Sequence, residues 1–128
     1  MSTTQSNPVP LANAELAVME LLWQRDRLTA RQLREKLYPG SDKAQHGTVQ
    51  RLLQRLEDKG FVERDHDLPV HFFVARISRQ SYASSQLESL ANKLSGGSLA
   101  PLITHLIEQK KISRAEIKRL RKILADTP

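Results

Sequence analysis

Apolar residues recur along most of this chain at helical spacing, and once, after residue 60, at the spacing of a strand. Leu16, Val18, Met19, Leu21, Leu22 and Trp23 place one broad apolar face on a first helix from Ala14 to Gln24, with Asp26 beyond its end. A second helix opens where Thr29 can cap, Gln32 completes a capping box, and Leu28 and Leu33 form a hydrophobic staple. Leu33 and Leu37 are its core positions, and Pro39-Gly40 stops it. The third helix runs from about Gln45 to Lys59; Val49, Leu52, Leu53 and Leu56 repeat as i, i+3, i+4, i+7, and Gly60 stands where a left-handed cap is expected. Phe61 to Arg64, a polar turn over His66-Asp67-Leu68-Pro69, and Val70 to Ala75 then predict a β-hairpin.

From Ser78 the helical period returns. Ala83, Leu87, Leu90 and Leu94 form a narrow coiled-coil type of seam, and Gly96-Gly97 breaks the helix. Ser98 is the expected cap of the next helix, which carries Pro101 in its first turn and a stripe of Leu99, Leu102, Ile103, Leu106 and Ile107. Ser113 with Glu116 predicts another capping box, Ile112 with Ile117 another staple, and Ile117, Leu120, Ile123 and Leu124 a last apolar face. The fold expected is mainly α with a small β-hairpin: a disordered arm over residues 1–10, a winged helix-turn-helix domain over 11–77, and a helical dimerisation region over 78–128. The three C-terminal helices can either fold back on the first domain or pair with a second copy. The narrow seam and the Gly-Gly break favour a homodimer.

Composition narrows the chemistry. The absence of cysteine removes disulfides, thiol catalysis and thiolate metal sites. With aromatics at 5%, a base-stacking platform has too few rings. No apolar run spans a bilayer and the first ten residues lack a secretory pattern, so a cytoplasmic protein without membrane association is expected. No nucleophile elbow, zinc-protease helix, P-loop or dinucleotide turn occurs, which leaves an enzyme hypothesis without residues. His46, His66, His71 and His105 supply no third ligand at a set spacing, so neither metal nor cofactor is expected. The 20 Lys plus Arg against 14 Asp plus Glu give +6, but residues 1–77 carry only +1 and residues 78–128 carry +5.

The partner is therefore argued from position. At ~100° per residue, the third helix sets Gly47, Arg51, Gln54 and Asp58 opposite its apolar stripe, with Gln50 and Arg55 on the flanks. A surface of guanidinium, amide and glycine can enter a major groove, where Arg reads guanine and Gln reads adenine. Arg31, Arg34, Lys43, Arg64 and His71 are candidates for phosphate contact, although such residues are commonly just solvated. Asp65 and Asp67 make a mixed wing, which is expected to touch backbone at most. The competing function is a protein-interaction module in which the winged helix does not bind specific DNA.

Several segments together resemble the BlaI/MecI family of bacterial winged-helix repressors, the penicillinase and methicillin-resistance type. They are Leu11-Ala12-Asn13-Ala14-Glu15 with Val18-Met19 and Leu22-Trp23; Gly47 to Leu56 with Lys59-Gly60-Phe61-Val62; Gly96-Gly97-Ser98-Leu99; and Ser113-Arg114-Ala115-Glu116-Ile117. The similarity spans about residues 11 to 125. It implies a homodimer binding a palindromic operator in double-stranded DNA, and it places Thr48, Gln50 and Arg51 at bases or phosphates. Arg55 matches a family arginine that binds phosphate or braces the fold. The DNA-facing set is then Arg31, Lys43, His46, Gly47, Thr48, Gln50, Arg51, Gln54, Arg55, Arg64 and His71. The dimer-forming set is Leu87, Leu90, Leu94, Leu99, Leu102, Ile103, Leu106, Ile107, Ile117, Leu120, Ile123 and Leu124. Antibiotic-responsive relatives are cut in the corresponding region by a sensor protease, near Thr104, His105 and Leu106 here, and copper-responsive relatives use cysteines that this chain lacks. Three departures stand out: Ala12 replaces the usual Thr cap, Gly47 stands where Thr or Lys is common, and Leu68-Pro69 replaces the Gly-Arg of the wing turn. The cap loss is expected to weaken the first helix by about 1 kcal/mol.

Overall fold

The computed structural model describes residues 9–40, 43–66 and 69–127. Residues 1–8 of the expected N-terminal arm, and Asp67 and Leu68 of the wing tip, lie outside the described residues. The elements are α1 (Asn13–Gln24), α2 (Ala30–Leu37), α3 (His46–Asp58), β1 (Val62–Asp65), β2 (Phe72–Ala75), α4 (Arg79–Leu94), α5 (Ala100–Glu108) and α6 (Arg114–Ala125), with a 3-10 turn at Lys43–Gln45. This is the winged-helix order followed by three helices. No helix among the described residues is long and apolar enough to cross a membrane.

Local chemistry explains most boundaries. At the start of α2 the Gln32 N–H donates to Thr29 Oγ1 at 3.1 Å and the Thr29 N–H to Gln32 Oε1 at 2.9 Å, a complete capping box. Ala12 has no acceptor to cap α1, but its N–H donates to Glu15 Oε1 at 2.8 Å, so half of that motif survives. The 3-10 turn takes up Gln45, so α3 begins at His46. It ends in a left-handed cap at Gly60, φ +82°, with Phe61 N–H on Leu56 O and Gly60 N–H on Glu57 O.

The hairpin pairs Val62 with Ala75, Glu63 with Val74, Arg64 with Phe73 and Asp65 with Phe72. β1 ends at Asp65 and β2 starts at Phe72, two residues later than expected, so Val70 and His71 belong to neither strand. Leu28 exchanges both backbone hydrogen bonds with Phe73, at 3.1 and 2.8 Å, and so docks the hairpin on the segment between α1 and α2.

Two compact units result, Met1–Ser85 and Gln86–Pro128. The core of the first gathers Val18, Met19 and Leu22 from α1, Leu33 from α2, Val49, Leu52, Leu53 and Leu56 from α3, and Phe61, Val62 and Phe73 around the hairpin. The start of α4 joins it. Tyr82 accepts the Leu11 N–H at 2.8 Å, its ring meets Phe61 edge-on at 5.5 Å, and Trp23 Nε1 donates to Ile77 O at 2.8 Å.

In the second unit Ala91 is the one buried apolar residue among those described, and α5 and α6 have none. The expected cap at Ser98 is corrected: Leu99 occupies the cap position without a side-chain bond, while the Ser98 carbonyl accepts the Ser95 hydroxyl. Starting α5 at Ala100 keeps Pro101 within the first turn, where a missing N–H costs nothing. Ser113 and Glu116 do form their reciprocal box, at 3.1 and 2.9 Å, and the Ser113 N–H and hydroxyl hold the Glu116 carboxyl below its ordinary range.

A carboxylate stands inside the first core. Glu15, 1% exposed, accepts two 2.8 Å hydrogen bonds from Lys59 Nζ. Burial by itself would raise its pKa. The bonds from Lys59 and Ala12 and the charges of Lys59 and Arg55 outweigh that and hold it below 4.5. Lys59 caps the end of α3, so this pair pins that end to α1. Glu15→Ala is expected to lower the unfolding free energy by about 2 to 4 kcal/mol in urea titrations, since it strands a partly covered ammonium. A carboxyl depressed on folding adds stability that is whole above its unfolded value and vanishes as pH falls through the folded one. The wild type should therefore lose stability below about pH 4.5 more steeply than Glu15→Gln; parallel acid limbs would refute this.

Candidate nucleic-acid interface

The third helix presents two opposite faces. Val49, Leu53 and Leu56 are fully buried and Leu52 is 5% exposed, which fixes the helix rotation. Gly47, Gln50, Arg51, Gln54, Arg55 and Asp58 are all exposed on the other side, while His46 and Thr48 are half-buried. Two i, i+4 pairs organise that side: Gln50 Nε2 lies 3.2 Å from His46 Nε2, and Gln54 Nε2 donates to Asp58 Oδ1 at 3.0 Å. A Cβ on Gly47 would meet Arg51 Nη1 at 3.7 Å, an ordinary contact, so the protein itself does not require glycine here. What the glycine supplies is clearance outside the helix.

A groove of about 430 Å³ lies between the start of α2, the start of α3 and the hairpin. It brings together five of the residues singled out from sequence: Arg31, His46, Gln50, Arg64 and His71. Among the described residues no carboxylate lines it. Thr48, Arg51, Gln54 and Arg55 stay on α3 outside the groove, and Lys43 belongs to the 3-10 turn before α3. Arg34 is half-buried with its Nε covered and unpartnered. The rings of His66 and His71 meet edge-on at 4.7 Å, as their places on either side of the turn suggest. Among the described residues, no three His, Asp or Glu side chains converge as metal ligands.

The wing is held by contacts that sequence reasoning missed. Arg64 Nη2 donates to Glu57 on α3 at 2.8 Å, its guanidinium lies 4.9 Å from the Phe73 ring centre, and Nη1 is 3.5 Å from His71 Nδ1. Arg27 stacks over Phe72 at 4.1 Å and reaches Asp65 at 3.8 Å. Neither Glu57 nor Arg27 carries a sequence signal, because both depend on where the hairpin lands. Glu15 did carry one: a lone acid on an apolar stripe with Val18, Met19 and Leu22 marks a carboxylate that must be paired inside.

The penicillinase repressor family model matches residues 11–126. The chain belongs to that family. It is 25% identical over 114 residues to the methicillin resistance regulatory protein MecI of Staphylococcus aureus (strain N315), covering 89% of this chain and 92% of that one. It is 32% identical over 118 residues to the transcriptional regulator BlaI of Mycobacterium tuberculosis (strain CDC 1551 / Oshkosh), covering 91% and 83%. The solution structure of the DNA-binding domain of the repressor BlaI superposes with a TM-score of 0.49 at 22% identity, over 61% of this chain and 94% of that one. This member of the penicillinase repressor family has the winged-helix order of elements.

In this family member the Arg64–Glu57 pair couples the wing to the far end of α3. Its side chains are only 25% and 23% exposed, so the bond is sheltered from full solvent screening. A double-mutant cycle of Arg64→Ala and Glu57→Ala, read by thermal denaturation, is expected to give a coupling of about 1 kcal/mol. Strict additivity would show that the wing is held without it.

Proposed function

We propose that this protein represses transcription by binding a palindromic operator in double-stranded DNA as a homodimer, with α3 of each copy in the major groove. The observation that carries the reading is the outer face of α3, where Gly47, Gln50, Arg51, Gln54 and Arg55 stand exposed on a helix whose other side is locked into the core. Arg51 and Gln50 are the base-reading pair, with Thr48 and Gln54 beside them. Arg31, Arg55 and His71 take backbone phosphates, which positions the helix without reading sequence. Arg64 divides its donors between Glu57 and the groove.

The homodimer rests on the second unit. Leu87, Leu90, Leu94, Ile103, Leu106, Ile107, Leu120, Ile123 and Leu124 are between 39% and 70% exposed. Helices this short, without a buried core of their own, are marginal in water unless an apolar partner covers them. A second copy supplies an identical surface and brings two α3 helices to two half-sites, which makes a dyad operator the matching target. A sensor protease acting at His105-Leu106, inside α5, would need that helix to unwind first.

Competition among short genomic duplexes at moderate salt tests the first claim: one duplex should displace the protein from bulk DNA, and uniform competition would favour a protein-interaction module instead. Arg51→Ala is expected to lower specific affinity by about 1 to 3 kcal/mol and to relax preference at one base pair. An unchanged preference removes Arg51 from base reading. Leu106→Asp should yield monomers in sedimentation that bind the same duplex weakly, whereas an intact dimer would place the interface elsewhere.

A further inference from the structure

The imidazole of His46 opens α3 and the amide of Gln50 lies one turn on, with their Nε2 atoms 3.2 Å apart. An amide nitrogen only donates, so this contact requires His46 Nε2 to accept and leaves the neutral ring's proton on Nδ1. Among the described residues His46 Nδ1 is buried without a partner, so none of them sets the ring's orientation from that side. With one N–H given to His46, Gln50 keeps Oε1 and its second N–H, a donor and acceptor in a defined order. That is the pair a glutamine uses on the N6 and N7 edge of adenine.

We propose that His46 is a positioning residue for base reading, its unprotonated Nε2 fixing which end of the Gln50 amide is offered to the DNA. The inference rests on the reading of α3 as the groove helix. Protonation of His46 would turn Nε2 into a donor, and Gln50 could then meet it only by rotating its amide to present Oε1. Donor and acceptor would change places, and the adenine edge would be mismatched. The groups facing His46 across the groove are Arg31 from α2, Arg64 from β1 and His71 just before β2. Arg31 lies 3.8 Å from Glu35 and Arg64 2.8 Å from Glu57, but neither carboxylate lines the groove. The order of the amide is therefore coupled to the protonation of that ring.

The test selects duplexes from a random-sequence pool with the full-length protein at about pH 8 and about pH 6, a span across which imidazole side chains titrate, at one salt concentration. The wild type should enrich adenine at one position at the higher pH and lose roughly ten-fold of that preference at the lower, with other positions unchanged. His46→Ala should show the same, weaker preference at both values, and Gln50→Ala none. If wild-type selection is specific but the adenine preference does not move with pH, the role of His46 is overturned while DNA reading by α3 stands. If no variant selects any sequence, the α3 reading itself fails, and the His46 assignment with it. Should His46→Ala lower the melting temperature, the wild-type ring decides directly. Long-range 15N–1H NMR at about pH 8 should show Nε2 unprotonated, and a protonated Nε2 there would overturn the assignment.

Discussion

Glu15 lies under the C-terminal end of α3 with both carboxylate oxygens bonded to Lys59, and that contact sets how α3 meets α1. The apolar stripe of Val49, Leu52, Leu53 and Leu56 determines which side of α3 faces inward, but hydrophobic burial is non-directional and tolerates sliding. A two-oxygen bond at the end of the helix is directional and does not. Its partner is the Schellman turn at Gly60, which reverses the chain at once and delivers Phe61 and Val62 into the same core. Everything exposed on α3 inherits its direction from these two constraints.

The wing is positioned by a second layer of polar contacts around the same helix. Leu28 binds the backbone of Phe73, Arg27 covers Phe72, and Arg64 links β1 to Glu57. Each joins a segment before α2 or within α3 to the hairpin, and together they build the groove in which Arg31, His46, Gln50 and His71 meet. Positive charge is thereby concentrated in a recess, even though residues 1–77 are almost neutral in sum. A local arrangement of this kind speaks to DNA contact more directly than the total of +6, most of which lies in residues 78–128.

The C-terminal unit follows a different logic. Its helices are well specified locally, by the box at Ser113 and Glu116 and by the paired left-handed glycines Gly96 and Gly97, φ +65° and +96°. Yet its apolar stripes find little to bury against within that unit, and only Ala91 among the described residues there is fully covered. Its secondary structure is thus set by local capping and turns more than by a core of its own.

Short-range features were open to reading from the sequence because they depend on residues at most seven apart: the capping box at Thr29 and Gln32, the stripe of α3, the end at Gly60 and the order of helices and hairpin. The misplaced cap at Ser98 belongs to the same range, where neighbouring candidates compete for one position. The outward set on α3 was equally legible, since a helix's periodicity ties the exposed face to the buried one. The partners of Glu15 and Arg64 were not, nor was the groove that collects Arg31, His46 and His71. Glu15 and Lys59 are 44 residues apart, and Leu28 and Phe73 are joined across α2, α3 and most of the hairpin. Many basic residues along the chain could have answered one buried acid. Which one does so follows from where the packed core brings the end of α3, a matter of long-range geometry that periodicity and capping rules do not encode.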